Sequence, residues 1–292
     1  MTRPTLFVTG ASGQLGRRVV DFLLEDGANA VAGTRNPDDV APTFKKNLPM
    51  RRADFDDPSS LETAFEGVNR LLIISTDAIG RRSEQHRNAI DAAKKAGVKH
   101  IVYTSLVNPE NSPAVFAPEH VVTEKMLNDS GIAHTILRNN IYTDMLITKL
   151  PHVVESGFLA GLAGNGGVGY VTRDDAARAA AAALSATTTA SATYDITGPA
   201  VITQTDLAGI VASISGRPVN YVAITPEELR KVISPAYAEL VVSLEFTIAQ
   251  GKLAVASGDF LKLTGRAPET AAAFLEAHRA SFVFSEQRKV LQ

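Results

Sequence analysis

Gly10, Gly13 and Gly16 recur at every third residue of the stretch Thr9-Gly10-Ala11-Ser12-Gly13-Gln14-Leu15-Gly16. Glycines in that arrangement suit one kind of chemistry, the capture of an anion by backbone N–H groups. Gly10 lets the chain turn where a side chain would clash, Gly13 lets the backbone approach a pyrophosphate, and Gly16 lets a helix pack closely on the preceding strand. The spacing is Gly-x-x-Gly-x-x-Gly, not the Gly-x-Gly-x-x-Gly of the common dinucleotide fingerprint. Three glycines alone would equally mark an ordinary strand-to-helix turn. The context favours a dinucleotide site: Leu6-Phe7-Val8 precedes as an apolar strand, and Leu15, Val19, Phe22 and Leu23 follow at the spacing of a buried helical stripe. Unpaired N–H groups of the first helical turn, at the positive end of its dipole, then face the phosphates.

A second candidate closes the next strand, Ala30-Val31-Ala32-Gly33-Thr34, where Arg35 follows and no acidic residue occurs until Asp38. An acidic side chain here accepts a ribose 2′-hydroxyl, whereas an arginine accommodates a 2′-phosphate. The guanidinium fork therefore predicts NADP(H) over NAD, with a solvated loop arginine as the alternative. Asp54, after a third strand entered at Met50, has two readings. It could accept the adenine amino group or cap the helix opened by Pro58.

The elements that must position these residues alternate strand and helix. Leu71-Leu72-Ile73-Ile74 is a continuous apolar run, as expected of a parallel strand buried on both faces, and Ser75 and Thr76 end it on the edge that carries the glycine turn. Helices over 83–96 and 118–130 and strands over 100–105 and 133–138 continue the rhythm, which predicts an α/β doubly wound parallel sheet. Ligands on such a sheet lie outside the carboxyl ends of its strands. Beyond Asn139 the sequence predicts a helix over 141–154, a turn-rich loop over 157–169 at the mouth of a cleft, an alanine-rich helix over 172–186 and a returning strand over 193–197. A mainly helical lobe follows, with helices over 203–215, 225–233, 235–250 and 269–282 and a strand over 219–222. Residues 251–258 read as a mobile segment and 285–292 as a poorly ordered tail.

A chain of 292 residues can bury a large core with a smaller lobe beside it. Its 29 basic and 31 acidic residues leave a net charge of −2, with no global attraction to nucleic acid or anionic membrane. The absence of cysteine excludes disulfides, thiolate metal sites and cysteine nucleophiles, and no apolar run approaches the roughly 20 residues of a membrane span. The expectation is a cytoplasmic protein with a small-molecule partner, no nucleic-acid or membrane partner and no metal, for which a homodimer is an open state.

Thr9–Gly16 is joined by Gln85-His86-Arg87-Asn88, Gly97-Val98-Lys99-His100, Tyr103-Thr104-Ser105-Leu106, the run Glu119 to Leu127 and Leu137-Arg138-Asn139. Together they resemble the NmrA-like branch of atypical short-chain dehydrogenases, above all its NAD(P)H:quinone oxidoreductases. The related triphenylmethane reductases are similar at Leu137-Arg138-Asn139 and Tyr142-Thr143-Asp144. The resemblance covers residues 5–200 well and the last third loosely. It implies a Rossmann domain (1–141 with about 171–199) holding NADPH, and a smaller substrate lobe (about 142–170 with 200–292). By position, Gly10, Ser12, Gly13, Gln14 and Leu15 would hold the pyrophosphate and Arg35 the 2′-phosphate. Ser75 and Thr76 would hold the nicotinamide-side ribose, and Asn139 to Tyr142, with Asn140, the nicotinamide end. At Asn140-Ile141 the chain departs from the glycine and bulky aromatic expected of the quinone reductases, which weakens the inference that a quinone ring stacks there.

An ordinary short-chain dehydrogenase protonates a carbonyl with a tyrosine four residues before a lysine. The residue four before Lys125 is Val121, so that pair is absent. A quinone, whose reduced oxyanion is stabilised by aromaticity, or a cationic dye carbon needs less help; the protein has to position the acceptor and exclude water. His120, Lys125 and Tyr142 are the candidates to face the cleft and stabilise charge on a quinone oxygen. Each has a structural alternative: a locally bonded histidine, a solvated lysine, a packed tyrosine. The reading is an NADPH-dependent oxidoreductase acting on a quinone-like or other conjugated aromatic acceptor, with a triarylmethane dye reductase or a non-turning-over NADP(H) sensor of the NmrA type as alternatives.

Overall fold

The computed structural model describes residues 3–44 and 48–283, so the tail expected at 285–292 lies outside the described residues. Its strands are β1 (Thr5–Val8), β2 (Asn29–Thr34), β3 (Met50–Arg52), β4 (Arg70–Ile73), β5 (His100–Leu106), β6 (Ala133–Asn139), β7 (Phe158–Gly161), β8 (Gly167–Val168), β9 (Ala192–Ile196), β10 (Ile202–Thr203) and β11 (Asn220–Ala223). Seven of them form one sheet in the order β3-β2-β1-β4-β5-β6-β9, with every neighbouring pair parallel. The order reverses between β1 and β4, and ligands bind at such a switch point.

The crossovers are α1 (Gln14–Glu25), the short α2 (Pro37–Val40), α3 (Pro58–Ala64), α4 (Arg82–Lys95), α5 (Ala117–Ser130), α6 (Leu150–Ser156) and α7 (Arg173–Ser185). Alternation along the strands decides which helices each face receives. Leu6, Val8, Leu72, Val102 and Leu137 point to one face and pack with α1 and α7. Phe7, Leu71, Ile73, Ile101, Tyr103 and Ile136 point to the other and pack with α3, α4 and α5. All eleven are buried, which is why these strands read as unbroken apolar runs.

A third cluster lies beyond the carboxyl edge, built from Leu150, Val153, Leu159, Leu207, Val211 and Leu275. It joins α6 to α8 (Gln204–Ser215), α10 (Pro235–Ala249) and α12 (Ala271–Ala277), whereas α9 (Pro226–Val232) packs on α10 and α11 (Asp259–Thr264) on α7. Three expectations change here. The helix expected over 141–154 is a 3-10 turn at Thr143–Leu146 followed by α6, whose Pro151 lacks the N–H that a continuous helix needs. The loop expected over 157–169 contains β7 and β8, each completed by a distant partner, β11 and β10.

The third change concerns residues 251–258, which are fastened rather than mobile. Asn108 Nδ2 donates to the Lys252 carbonyl at 2.9 Å, Asn140 Nδ2 to the Leu253 carbonyl at 3.0 Å, and the Ser257 N–H to Thr197 Oγ1 at 2.9 Å. Gly169 completes the seam, because a β-carbon there would lie 1.9 Å from the Val255 carbonyl oxygen.

Candidate active site

The start of α1 is built to receive an anion. Gly10 takes a positive φ of 59° and its carbonyl accepts the Gly13 N–H at 3.0 Å, while the Ala11 N–H ties the turn to the Gly33 carbonyl of β2. A β-carbon on Gly16 would sit 2.3 Å from the Gly10 oxygen, so only glycine lets the helix settle on this turn. Gly13 caps the helix without a side-chain acceptor, and the first turn carries no acidic residue. Among the described residues the N–H groups of Ser12, Gln14 and Leu15 have no acceptor. These unpaired donors and the helix dipole make a site for phosphate.

The cleft in front of them has a volume of about 380 Å³ and is bordered by Gly10, Ser12, Gly13, Arg35, Asp54, Ser75 and Thr76. Arg35 is exposed at its rim and makes no ion pair among the described residues. The Thr34 hydroxyl donates to Ser12 Oγ at 3.3 Å, which joins the end of β2 to the glycine turn. Asp54 lines the cleft; its carboxylate accepts the Asp56 N–H, and the cap of α3 is Asp57. Hydrogen bonds from Ser59 and Arg52 hold the Asp57 carboxyl down to about 2.

Ser75 and Thr76 form the floor beyond β4. The Ser75 N–H donates to Thr104 Oγ1 at 2.9 Å, and the Thr76 hydroxyl donates to Gln85 Oε1 at 2.7 Å. At the end of β6, Asn139 is buried and its Nδ2 donates to the Tyr142 phenol oxygen at 2.9 Å, leaving Oδ1 without a partner among the described residues. Burial raises the Tyr142 pKa, and the Arg173 guanidinium lies 5.3 Å from its ring centre. His120 is buried on α5, with Nδ1 2.8 Å from the Tyr103 phenol and Nε2 3.3 Å from Arg82 Nη1. Burial first and the Arg82 charge second push the His120 imidazole down to about 3, so it is neutral.

Of the expected residues, His120, Lys125, Asn139, Asn140 and Tyr142 do not border this cleft, and two of them turn away from it. Lys125 points outward from α5 and its ammonium pairs with Asp129 at 2.7 Å. The helical period accounts for this: His120, Thr123, Glu124 and Leu127 occupy the buried face, and Lys125 lies one position past it. Asn140 turns its side chain toward residue 253, its Oδ1 accepts the Ile141 N–H, and its own N–H is spent on the Ile196 carbonyl. Glu124, which sequence reasoning missed, accepts the Ser105 hydroxyl and pairs with Arg138. Its i, i+4 relation to His120 was the available signal.

The family model described as NAD(P)H-binding matches residues 10–187, from the glycine turn to the end of α7. The chain belongs to the NAD(P)H-binding family. Within it the chain is of the NmrA-like branch and is an oxidoreductase. Quinone oxidoreductase 2 of Escherichia coli is 37% identical over 91% of this chain and 95% of its own. The crystal structure of that NADPH-dependent enzyme with NADPH superposes with a TM-score of 0.88 at 35% identity, covering 93% of this chain and 98% of the other. The Citrobacter triphenylmethane reductase complexed with NADP(H) gives 0.86 at 31% identity, with coverages of 94% and 99%. An NmrA-like family domain-containing oxidoreductase of Aspergillus flavus is 28% identical over 89% and 90% of the two chains. The unpaired donors at the start of this member's α1, and the close approach that Gly10, Gly13 and Gly16 allow, fit the pyrophosphate of the family's cofactor.

Proposed function

We propose that this protein is an NADPH-dependent reductase whose acceptor is a quinone or a similar conjugated aromatic. The carrying observation is the pairing, among the described residues, of unspent N–H donors at Ser12, Gln14 and Leu15 with an exposed, unpaired guanidinium at Arg35 across one cleft. The first group suits a diphosphate and the second an added 2′-phosphate. In this reading Gly10 and Gly13 give the diphosphate room, Ser75 and Thr76 meet the ribose, and Asn139 with Tyr142 borders the nicotinamide. The lobe of residues 142–170 and 200–283 would cover that end.

When bound, the nicotinamide supplies the hydride. Around it the chain offers little acid: His120 is neutral, burial raises the Tyr142 phenol, and Lys125 faces solvent. That shortage favours acceptors whose reduced form needs no proton at the moment of transfer, such as quinones or cationic triarylmethane dyes. His120 and Tyr142 then contribute shape and dipoles rather than protons. The lack of cysteine supports a reducing, cytoplasmic setting, and no helix among the described residues is long and apolar enough to cross a membrane.

Calorimetric titration with NADPH and NADH, followed by turnover assays with benzoquinones and a triarylmethane dye, tests the reading. The expected result is tight NADPH binding, weaker NADH binding and rapid oxidation of NADPH by a quinone. Cofactor that is bound but never oxidised by any of these acceptors overturns the reductase and leaves the NmrA-type sensor.

A further inference from the structure

Thr76, on the cleft floor, is gripped from behind through both of its backbone polar groups. Its N–H donates to His86 Nε2 at 3.3 Å, and its carbonyl accepts from Arg82 Nε. Both grips run back to the buried face of α5. Arg82 has no acceptor, so its Nη1 donates to His120 Nε2, and the single hydrogen of neutral His120 sits on Nδ1 and is donated to the Tyr103 oxygen at 2.8 Å. On the other side, His86 Nε2 is the acceptor of the Thr76 N–H. Its hydrogen therefore lies on Nδ1 and is donated to Thr123 Oγ1 at 2.9 Å, whose own hydrogen goes to the Glu119 carbonyl at 2.8 Å. The Tyr103 ring fills the space between the arms, 5.4 Å from the His86 ring and 6.0 Å from the His120 ring.

We infer that His86 and Arg82 are positioning residues: a two-armed brace that hangs Thr76 from α5 and holds the cleft floor in the shape that receives the dinucleotide. Among the described residues His86 hydrogen-bonds to Thr76 and Thr123, packs edge-on with Phe55 and Tyr103, and is fully buried, with no route to the acceptor. Its tautomer is dictated from both ends, so every donor and acceptor on that arm is used once. Such closure is costly to disturb, because removing one member leaves a buried partner unsatisfied. The inference rests on the reading that this cleft binds NADPH.

Steady-state kinetics and NADPH titration of His86→Leu, His86→Gln, Thr123→Val and Thr123→Ser test it. His86→Leu and Thr123→Val are expected to raise the NADPH KM and Kd by about tenfold, the effect of one lost buried hydrogen bond, with kcat at saturating cofactor retained. His86→Gln, with an acceptor and a donor on one amide, and Thr123→Ser, which keeps the hydroxyl, are expected to recover most of the affinity. Thr123→Val serves as the decisive variant if His86→Leu does not fold, since it keeps the volume and removes only the oxygen. A folded Thr123→Val or His86→Leu protein with wild-type NADPH affinity overturns the brace while leaving the reductase reading intact. Wild-type protein that takes up no NADPH overturns both, and the two failures are told apart by that single titration.

Discussion

Ser105, near the carboxyl end of β5, donates its hydroxyl to Glu124 on α5 across 2.6 Å. Glu124 is buried, and the same carboxylate receives Nε and Nη2 of Arg138 from β6. The carboxylate thereby fixes α5 against two strands at the level where the cleft opens. Pairing with Glu124 raises the Arg138 pKa.

Removing Glu124 leaves the partly exposed Arg138 guanidinium with Glu110 as its remaining partner. Glu124→Leu is therefore expected to lower unfolding free energy by about 1.5–3 kcal/mol, the worth of a hydrogen bond to a charged group, whereas Glu124→Gln, which still bonds Ser105, should lose less. Urea unfolding of the two variants measures this, and equal losses would mean that the Ser105 bond kept by the glutamine contributes nothing.

Arg35→Ala should weaken NADPH binding by one to two orders of magnitude and change NADH binding little, since about 1.4 kcal/mol separates each tenfold step and a charge-assisted pair is worth about 1.5–3 kcal/mol. Parallel titrations with the two cofactors give the ratio. Equal weakening would place the selectivity elsewhere in the cleft.

Gly16→Ala introduces a carbon 2.3 Å from the Gly10 oxygen, with only backbone in the way. The helix must lift from the turn, so a loss of about 1–3 kcal/mol in stability is expected, together with a weaker grip on the diphosphate. Thermal unfolding and NADPH titration both report it, and a variant indistinguishable from wild type in both would contradict the packing at this turn.

Stability should fall as pH drops below 6.5. Burial and then the Arg82 charge push His86 and His120 from 6.5 down to about 3, and burial and then Arg70 push His100 to about 4. Between those values and 6.5 the unfolded chain binds protons that the folded chain refuses, so stability rises with pH across that window. Urea midpoints at pH 7, 6 and 5 trace the slope, and His100→Asn should flatten it. A flat wild-type profile would mean these imidazoles are not neutral when folded.

The sheet was legible because its strands are buried on both faces, and runs such as Leu71 to Ile74 have no other comfortable home. The glycine turn was legible because Gly10 and Gly16 satisfy backbone geometry that no other residue meets at those points. Pairings between distant segments were not. Phe158 pairs with Asn220 and Val168 with Ile202, and nothing near 158 or 168 announces a partner dozens of residues away. Lys125 was mistaken for an inward residue because a motif spacing gives the helix but not its rotation, which the buried Thr123, Glu124 and Leu127 set. Residues 251–258 look loose in composition, and the groups that fasten them, Asn108, Asn140 and Thr197, are far away in sequence.

Those fastenings tie distant parts of the chain to one another. Asn108, Asn140 and Thr197 follow β5, β6 and β9 and hold one short piece of chain between α10 and α11. A substitution at any of the three loosens the seam between the sheet and that piece while leaving every residue of the glycine turn unchanged.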